Sequence, residues 1–207
     1  EELRRVAPVI AALAAKTDIP LSVDTTKAEV ARTALAAGAE MVNDISAMRF
    51  DEGMPAVIRE SGAAVVLMHM RGTPRDMQEG DLTYPSLWGE IIRFLQERIE
   101  AAVAAGIPEE CIAVDPGLGF GKSAADNLKL VRDLEECRVL GRPVMMGPSR
   151  KSFLGAITGA GLQDRDGETM AAVTACILNG AHLVRVHDVR AGKKAAAVAD
   201  ALKGSKL

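Results

Sequence analysis

Aromatic side chains make up only 3% of the 207 residues, which argues against the stacking platforms that bind single-stranded nucleic acid. Positive charge is not in excess either. The net charge is −3, so no basic field would draw in nucleic acid or an anionic membrane. The three cysteines, Cys111, Cys137 and Cys176, are odd in number, and none belongs to a Cys-x-x-Cys pair. Neither a zinc site nor a disulfide framework is expected from them. Cys111 and Cys176 lie in apolar runs and read as inert core thiols of a reducing compartment, which places the chain in the cytoplasm. No apolar run reaches membrane-spanning length, and no secretory signal opens the sequence. Triads of Ser, His and Asp, a His-Glu-x-x-His helix and a Cys nucleophile are missing too, which speaks against covalent hydrolysis. The last three residues, Ser205-Lys206-Leu207, match a peroxisomal address, a pattern short enough to arise by chance.

What is present is 48% apolar residues, enough for one domain over 1–207 with its own core. The densest local signal is Val114-Asp115-Pro116-Gly117-Leu118-Gly119-Phe120-Gly121-Lys122-Ser123. Glycine at this density marks backbone that takes positive φ or approaches a ligand closely. Two familiar motifs each miss by one residue. A phosphate-binding P-loop requires glycine where Pro116 stands, and a dinucleotide fingerprint requires glycine where Lys122 stands. What remains is a carboxylate at a strand end followed by a glycine-rich turn.

The rest of the chain repeats one unit, an apolar strand, a polar strand end and a helix. Glu1 to Lys16 reads as an amphipathic helix, with a kink or late start at Pro8. Thr26-Lys27-Ala28-Glu29 reads as a capping box for the next helix, which closes at Gly38. Six strands are expected, ending at Asp24, Asn43/Asp44, His69, Asp115, Ser149/Lys151 and Arg185/His187. Strands alternating with helices imply a parallel sheet, arranged as an open doubly wound sheet or a (β/α) barrel. Only a barrel gathers all the polar strand ends on one face, so an α/β chain of the (β/α)8 TIM barrel class is expected. A full barrel runs to about 250 residues. The opening helix follows no strand, so the missing one or two units are expected ahead of Glu1.

Taken singly, the polar residues have ordinary explanations. Asp24 could cap a helix, Asn43 and Asp44 form a turn, His69 sit satisfied in the core, and Arg185 and His187 join surface ion pairs. Together they describe a site. Carboxylates and an amide suit a planar ring rich in N–H donors, while Arg and His suit a phosphate or diphosphate.

Ser22-Val23-Asp24-Thr25, Val42-Asn43-Asp44-Ile45, Leu67-Met68-His69-Met70, the Asp115 to Lys122 stretch, Gly147-Pro148-Ser149-Arg150-Lys151-Ser152 and Arg185-Val186-His187-Asp188-Val189 resemble, in that order, the bacterial dihydropteroate synthases. Such enzymes are (β/α)8 barrels that join 6-hydroxymethyl-7,8-dihydropterin diphosphate to 4-aminobenzoate in folate biosynthesis, and sulfonamides target them. The resemblance implies that Asp24, Asn43 and Asp115 bind the pterin edge, Lys151 reaches its carbonyl side and Met68 packs on the ring. It implies that Arg185 and His187 hold the departing diphosphate and that Phe120, Ser149 and Arg150 line the 4-aminobenzoate side. Lys151, Arg185 and His187 are then the catalytic residues. Mg²⁺ is the implied cofactor. The family Asn that helps bind it, and two mobile loops, match nothing from Glu1 onward, so no metal ligand is expected in these residues. Poor turnover by this stretch alone is expected, and a homodimer is implied. The alternatives are a methyltetrahydrofolate-type methyltransferase, which shares the pterin pocket but not Ser149-Arg150-Lys151 or Arg185-Val186-His187, and a catalytically incomplete pterin-binding fragment.

Overall fold

The computed structural model describes residues 1–77, 79, 80 and 82–204. The terminal Ser205-Lys206-Leu207 reading lies outside the described residues. The elements run α1 (Glu2–Ala14), β1 (Ser22–Asp24), α2 (Ala28–Ala36), β2 (Met41–Asp44), α3 (Met54–Ser61), β3 (Ala64–Met68) and α4 (Leu87–Ala104). They continue with β4 (Ile112–Asp115), α5 (Ala124–Arg132), β5 (Met145–Met146), α6 (Ser152–Thr158), α7 (Asp166–Leu178), β6 (Leu183–Val184) and α8 (Val189–Leu202).

Strands β1 to β4 form one sheet in sequential order, β1-β2-β3-β4. The β1–β2 and β2–β3 pairings are parallel, with Asp24 level with Asn43 and Asp44 level with Leu67. A doubly wound sheet reverses its order at a switch point, and this run of strands does not. Strands β5 and β6 pair in parallel as a second, two-stranded sheet. In β3, Val65, Val66, Leu67 and Met68 are all buried, so both of its faces are covered, as a parallel strand requires.

Local sequence explains most of the boundaries. Helix α3 has Pro55 in its first turn and closes on Gly62 at φ 68°, in the left-handed region. In α4, Ile91, Leu95 and Ile99 are buried on one stripe, each worth about 1.5–3 kcal/mol of apolar burial. Towards the end of the helix Ala102 is buried, whereas Val103 is exposed. Helix α1 includes Pro8 in its interior instead of starting late. Pro8 is on the exposed side, where the carbonyl it leaves open can meet water. The capping box expected at Thr26 is not formed. The N-cap is Lys27 without a side-chain bond, and Asp51 Oδ2 takes the Ala28 N–H at 2.8 Å. The last strand stops at Val184, although Arg185 N still donates to Met146 O at 2.9 Å. No helix of the described residues is long and apolar enough to cross a membrane.

The chain packs as two compact units, Glu1–His69 with Arg93–Val114, and Met70–Ile92 with Asp115–Leu207. The first holds the paired ends of β1 to β3. In the second, Val173, Ile177 and Ala199 form a small core between α7 and α8, with Val184 and Val186 packed on it.

Candidate active site

In the first unit, the parallel register sets Asp24 and Asn43 side by side at their strand ends. Asp24 is exposed, whereas Asn43 is only 4% exposed. Neither Oδ1 nor Nδ2 of Asn43 has a hydrogen-bond partner within the protein. Buried amides are nearly always bonded, so this one calls for an explanation, and a ligand offering both a donor and an acceptor supplies one.

Its neighbour Asp44 does the opposite. It is fully buried, and its Oδ1 accepts from Ser46 N at 2.8 Å and Ser46 Oγ at 2.7 Å. Its Oδ2 accepts from Met48 N at 3.0 Å. Burial pushes the Asp44 carboxyl up, against the pull of these bonds and of Arg49. The carboxylate fixes a turn in which Ala47 and Met48 take φ of 53° and 61°. Arg98 Nε donates to Ala47 O at 2.8 Å, and the Arg49 guanidinium lies 5.0 Å from the Phe94 ring centre. Met68 is buried at the end of β3, and His69 packs edge-on against Phe94 with ring centres 5.0 Å apart. His69 thus takes the core role that an isolated histidine suggests.

In the second unit, Asp115 ends β4 at 4% exposure. Burial raises its pKa, while the Gly117 N–H and the charges of Arg185, Lys151 and Lys122 pull it back down. Gly117 N donates to Asp115 Oδ1 at 2.7 Å. Gly117, Gly119 and Gly121 all take positive φ, so the turn is built from alternating left-handed steps that only glycine adopts easily. Asn127 Oδ1 accepts from Gly119 N at 2.7 Å, and Tyr84 Oη donates to Gly121 O at 2.7 Å. Phe120 lies beneath the Lys151 ammonium, 4.3 Å from Nζ to the ring centre, in cation–π range. Burial lowers the Lys151 pKa, Asp115 raises it and Arg185 lowers it.

Beside this turn, Gly147, Ser149, Arg150, Lys151, Arg185 and His187 line a cleft of about 580 Å³. Ser149 Oγ lies 2.7 Å from His187 Nδ1 and accepts the His187 main-chain N–H at 3.1 Å. Arg150 takes φ of 56°, and its guanidinium forms a two-point pair with Asp166 at 2.9 and 3.2 Å. Arg150 therefore lines the cleft with its charge already matched. Among the described residues, no group of three or more His, Cys, Asp or Glu side chains is gathered to hold a metal ion. The described residues therefore offer no all-protein cage for Mg²⁺.

Reasoning from sequence puts all of the expected residues in one site; of these, Asp115, Phe120, Ser149, Arg150, Lys151, Arg185 and His187 lie in one unit, and Asp24, Asn43 and Met68 in the other. It missed Lys122 and Asn127, which hold the glycine turn from behind. A signal was there: Ser123 and Asp126 form a capping box that starts α5 and fixes where Asn127 points.

Residues 1–187 match the pterin binding enzyme family. The chain is 47% identical to a dihydropteroate synthase of Synechocystis over 204 residues, 98% of this chain and 70% of that protein. A Yersinia pestis dihydropteroate synthase solved with a sulfonamide drug complex superimposes with a TM-score of 0.95 at 39% identity, over 99% of this chain and 74% of that one. The Xanthomonas albilineans enzyme solved with 7,8-dihydropteroate gives 0.89 at 44% identity, over 97% and 73% of the two chains. These neighbours share the (β/α)8 barrel fold, of which six strands and their helices are present among the described residues.

Proposed function

The chain belongs to the family of pterin-binding enzymes and, within it, to the dihydropteroate synthases, transferases of folate synthesis, and from that premise we propose how its residues act. The substrates are 6-hydroxymethyl-7,8-dihydropterin diphosphate and 4-aminobenzoate, and the products are 7,8-dihydropteroate and diphosphate. One observation carries the reading. Asp115 is a buried carboxylate whose charged neighbours are three cations, Arg185, Lys151 and Lys122. Burial raises its pKa and those cations oppose the rise, which favours the acceptor form that ring N–H donors need, and their positive charge suits a diphosphate.

The family resemblance is what supports Asp24, Asn43 and Asp115 for the donor edge of the pterin, Met68 for its face and Lys151 for its carbonyl side. Arg185 and His187 hold the diphosphate. The bond from the pterin methylene carbon to the diphosphate oxygen breaks, and its electron pair leaves with the diphosphate. The arylamine nitrogen then attacks the methylene carbon, forms the new C–N bond and releases a proton. Charge builds on the leaving oxygens as that bond opens. Each charge-assisted hydrogen bond that tightens there lowers the barrier by about 1.5–3 kcal/mol, roughly ten- to a hundredfold in rate. Phe120, Ser149 and Arg150 border the 4-aminobenzoate, with the Arg150 pair to Asp166 holding that wall in place.

Mg²⁺ is the proposed companion of the diphosphate. A homodimer is the proposed assembly. It is supported by an apolar groove across α5, α6 and α7, where Leu128 and Ile157 are exposed beside Phe153 and Ala172. Cysteines left unpaired at 111, 137 and 176 support a reducing, cytoplasmic setting.

Calorimetry of pterin diphosphate binding with wild type and Asp115→Asn tests the reading. A loss of ten- to a hundredfold is expected, because the amide replaces one acceptor with a donor facing ring N–H groups. Unchanged affinity overturns the assignment. Diphosphate release on adding 4-aminobenzoate separates it from a methyltransferase, which releases none.

A further inference from the structure

Lys122 touches no substrate in the scheme above, and it is only 3% exposed. Its Nζ turns inward beneath the glycine turn and donates to Gly117 O and Phe120 O, both at 3.0 Å. Those carbonyls belong to the two residues that matter most in the turn. Gly117 supplies the N–H to Asp115, and Phe120 supplies the ring beneath Lys151. The loop after β3 closes the other side. A methyl group added at Gly121 would sit 3.0 Å from Arg71 O and 3.2 Å from Met77 O, so the two segments are in direct contact there. Asn127 completes the frame through Gly119 N and through its own Nδ2, which donates to Ser123 O at 2.9 Å.

We propose that Lys122 is a positioning residue of the reaction: it clamps the turn so that Asp115 and Phe120 keep their places, and its charge helps hold Asp115 ionised. This rests on the pterin reading of Asp115. Charged groups act on Lys122 from every side: Asp115 from the end of β4, Arg71 from the loop after β3, Asp126 from α5 and Lys151 from the loop after β5. Burial brings Lys122 down to about 7, with Asp115 and Asp126 opposing the fall and Arg71 and Lys151 adding to it. Below that pH it is a cation beside Asp115. Removing it leaves burial of Asp115 less opposed, so Asp115 takes up a proton at higher pH.

The experiment is the affinity for pterin diphosphate, measured by calorimetry from pH 5.5 to 9 in wild type, Lys122→Met, Lys122→Gln, Lys122→Arg and Asp115→Asn. In Lys122→Met the acid-side loss of binding moves up by about one pH unit. Lys122→Gln keeps an N–H donor without the charge and shows the same displacement, while Lys122→Arg returns the limb toward its wild-type position. A purely structural lysine would lower affinity at every pH and leave the limb where it was, and that result overturns the proposal. So does an identical limb in the Gln and Arg variants. Should no variant fold, lysine labelled with ¹³C in the wild-type chain gives the answer. One Cε signal should titrate near neutrality and shift when pterin diphosphate binds, and a signal indifferent to the ligand overturns the proposal. The Asp115→Asn control separates the two levels. If it binds normally the pterin reading itself fails; if it loses affinity while the Lys122 variants match wild type, only the role of Lys122 fails.

Discussion

Replacing Asn43 with leucine should make the free protein more stable and the liganded one weaker. The side chain is 4% exposed, and both of its polar atoms lack a partner within the protein. A buried polar group without a bond costs about 1–3 kcal/mol, and leucine fills nearly the same volume without that cost. Taking the lower figure, about 1 kcal/mol of gain raises Tm by roughly 2–4 °C in a chain of this size. The penalty appears on binding. Two lost hydrogen bonds to the pterin, and the ring groups left unmatched, amount to about 2–3 kcal/mol, or some thirty- to a hundredfold in Kd. Differential scanning fluorimetry with and without pterin diphosphate reads both effects on one sample. The reasoning is refuted if Asn43→Leu melts several degrees lower than wild type while the ligand shifts both proteins equally. That outcome would mean the amide is satisfied at home and has no part in recognition.

Gly119→Ala should lower Tm by about 2–8 °C, because φ of 81° costs an alanine roughly 1–2 kcal/mol. The new methyl would also stand 3.0 Å from Lys151 Cδ and push that ammonium off the Phe120 ring, so calorimetry should show weaker binding as well as lower stability. Lys122 gives a pH signature in stability. Its folded pKa lies below its unfolded one, so the unfolded chain holds more protons between about 7 and the ordinary lysine value. Stability should therefore rise with pH across that window in wild type relative to Lys122→Met. Melting curves at intervals from pH 7 to 10 read the difference, and a falling difference contradicts a depressed Lys122.

The strand ends were legible because short apolar runs such as Met41-Val42 and Ala64 to Met68 stop abruptly at polar side chains, Asn43 and His69. The division of labour between Asn43 and Asp44 was not. Neighbouring residues on a strand point to opposite sides, and only packing decides which side holds the ligand. Asp44 went to its own loop, where Ala47 and Met48 take left-handed angles that neither residue advertises. The cap of α2 comes from Asp51, 23 residues beyond the N–H it serves, a distance no local motif spans. Lys122 looked like the end of a failed P-loop, since sequence shows its proximity to glycine carbonyls but not that its side chain folds back beneath them. Arg150 was expected to line the 4-aminobenzoate side, but the aspartate that matches its charge lies one helix further on, where no local pattern ties the two together.

The contact between Ser149 and His187 couples a hydroxyl proton to the tautomer of an imidazole. Ser149 Oγ receives the His187 main-chain N–H at 3.1 Å and lies 2.7 Å from Nδ1; when its O–H is given to Nδ1, the ring nitrogen is the acceptor. An imidazole that accepts at Nδ1 carries its hydrogen on Nε2. A neutral His187 would then still present an N–H to whatever anion enters the cleft, and the grip on a departing oxygen would not depend on the ring being charged. A serine beside the second substrate would in this way settle the chemistry of a histidine assigned to the first.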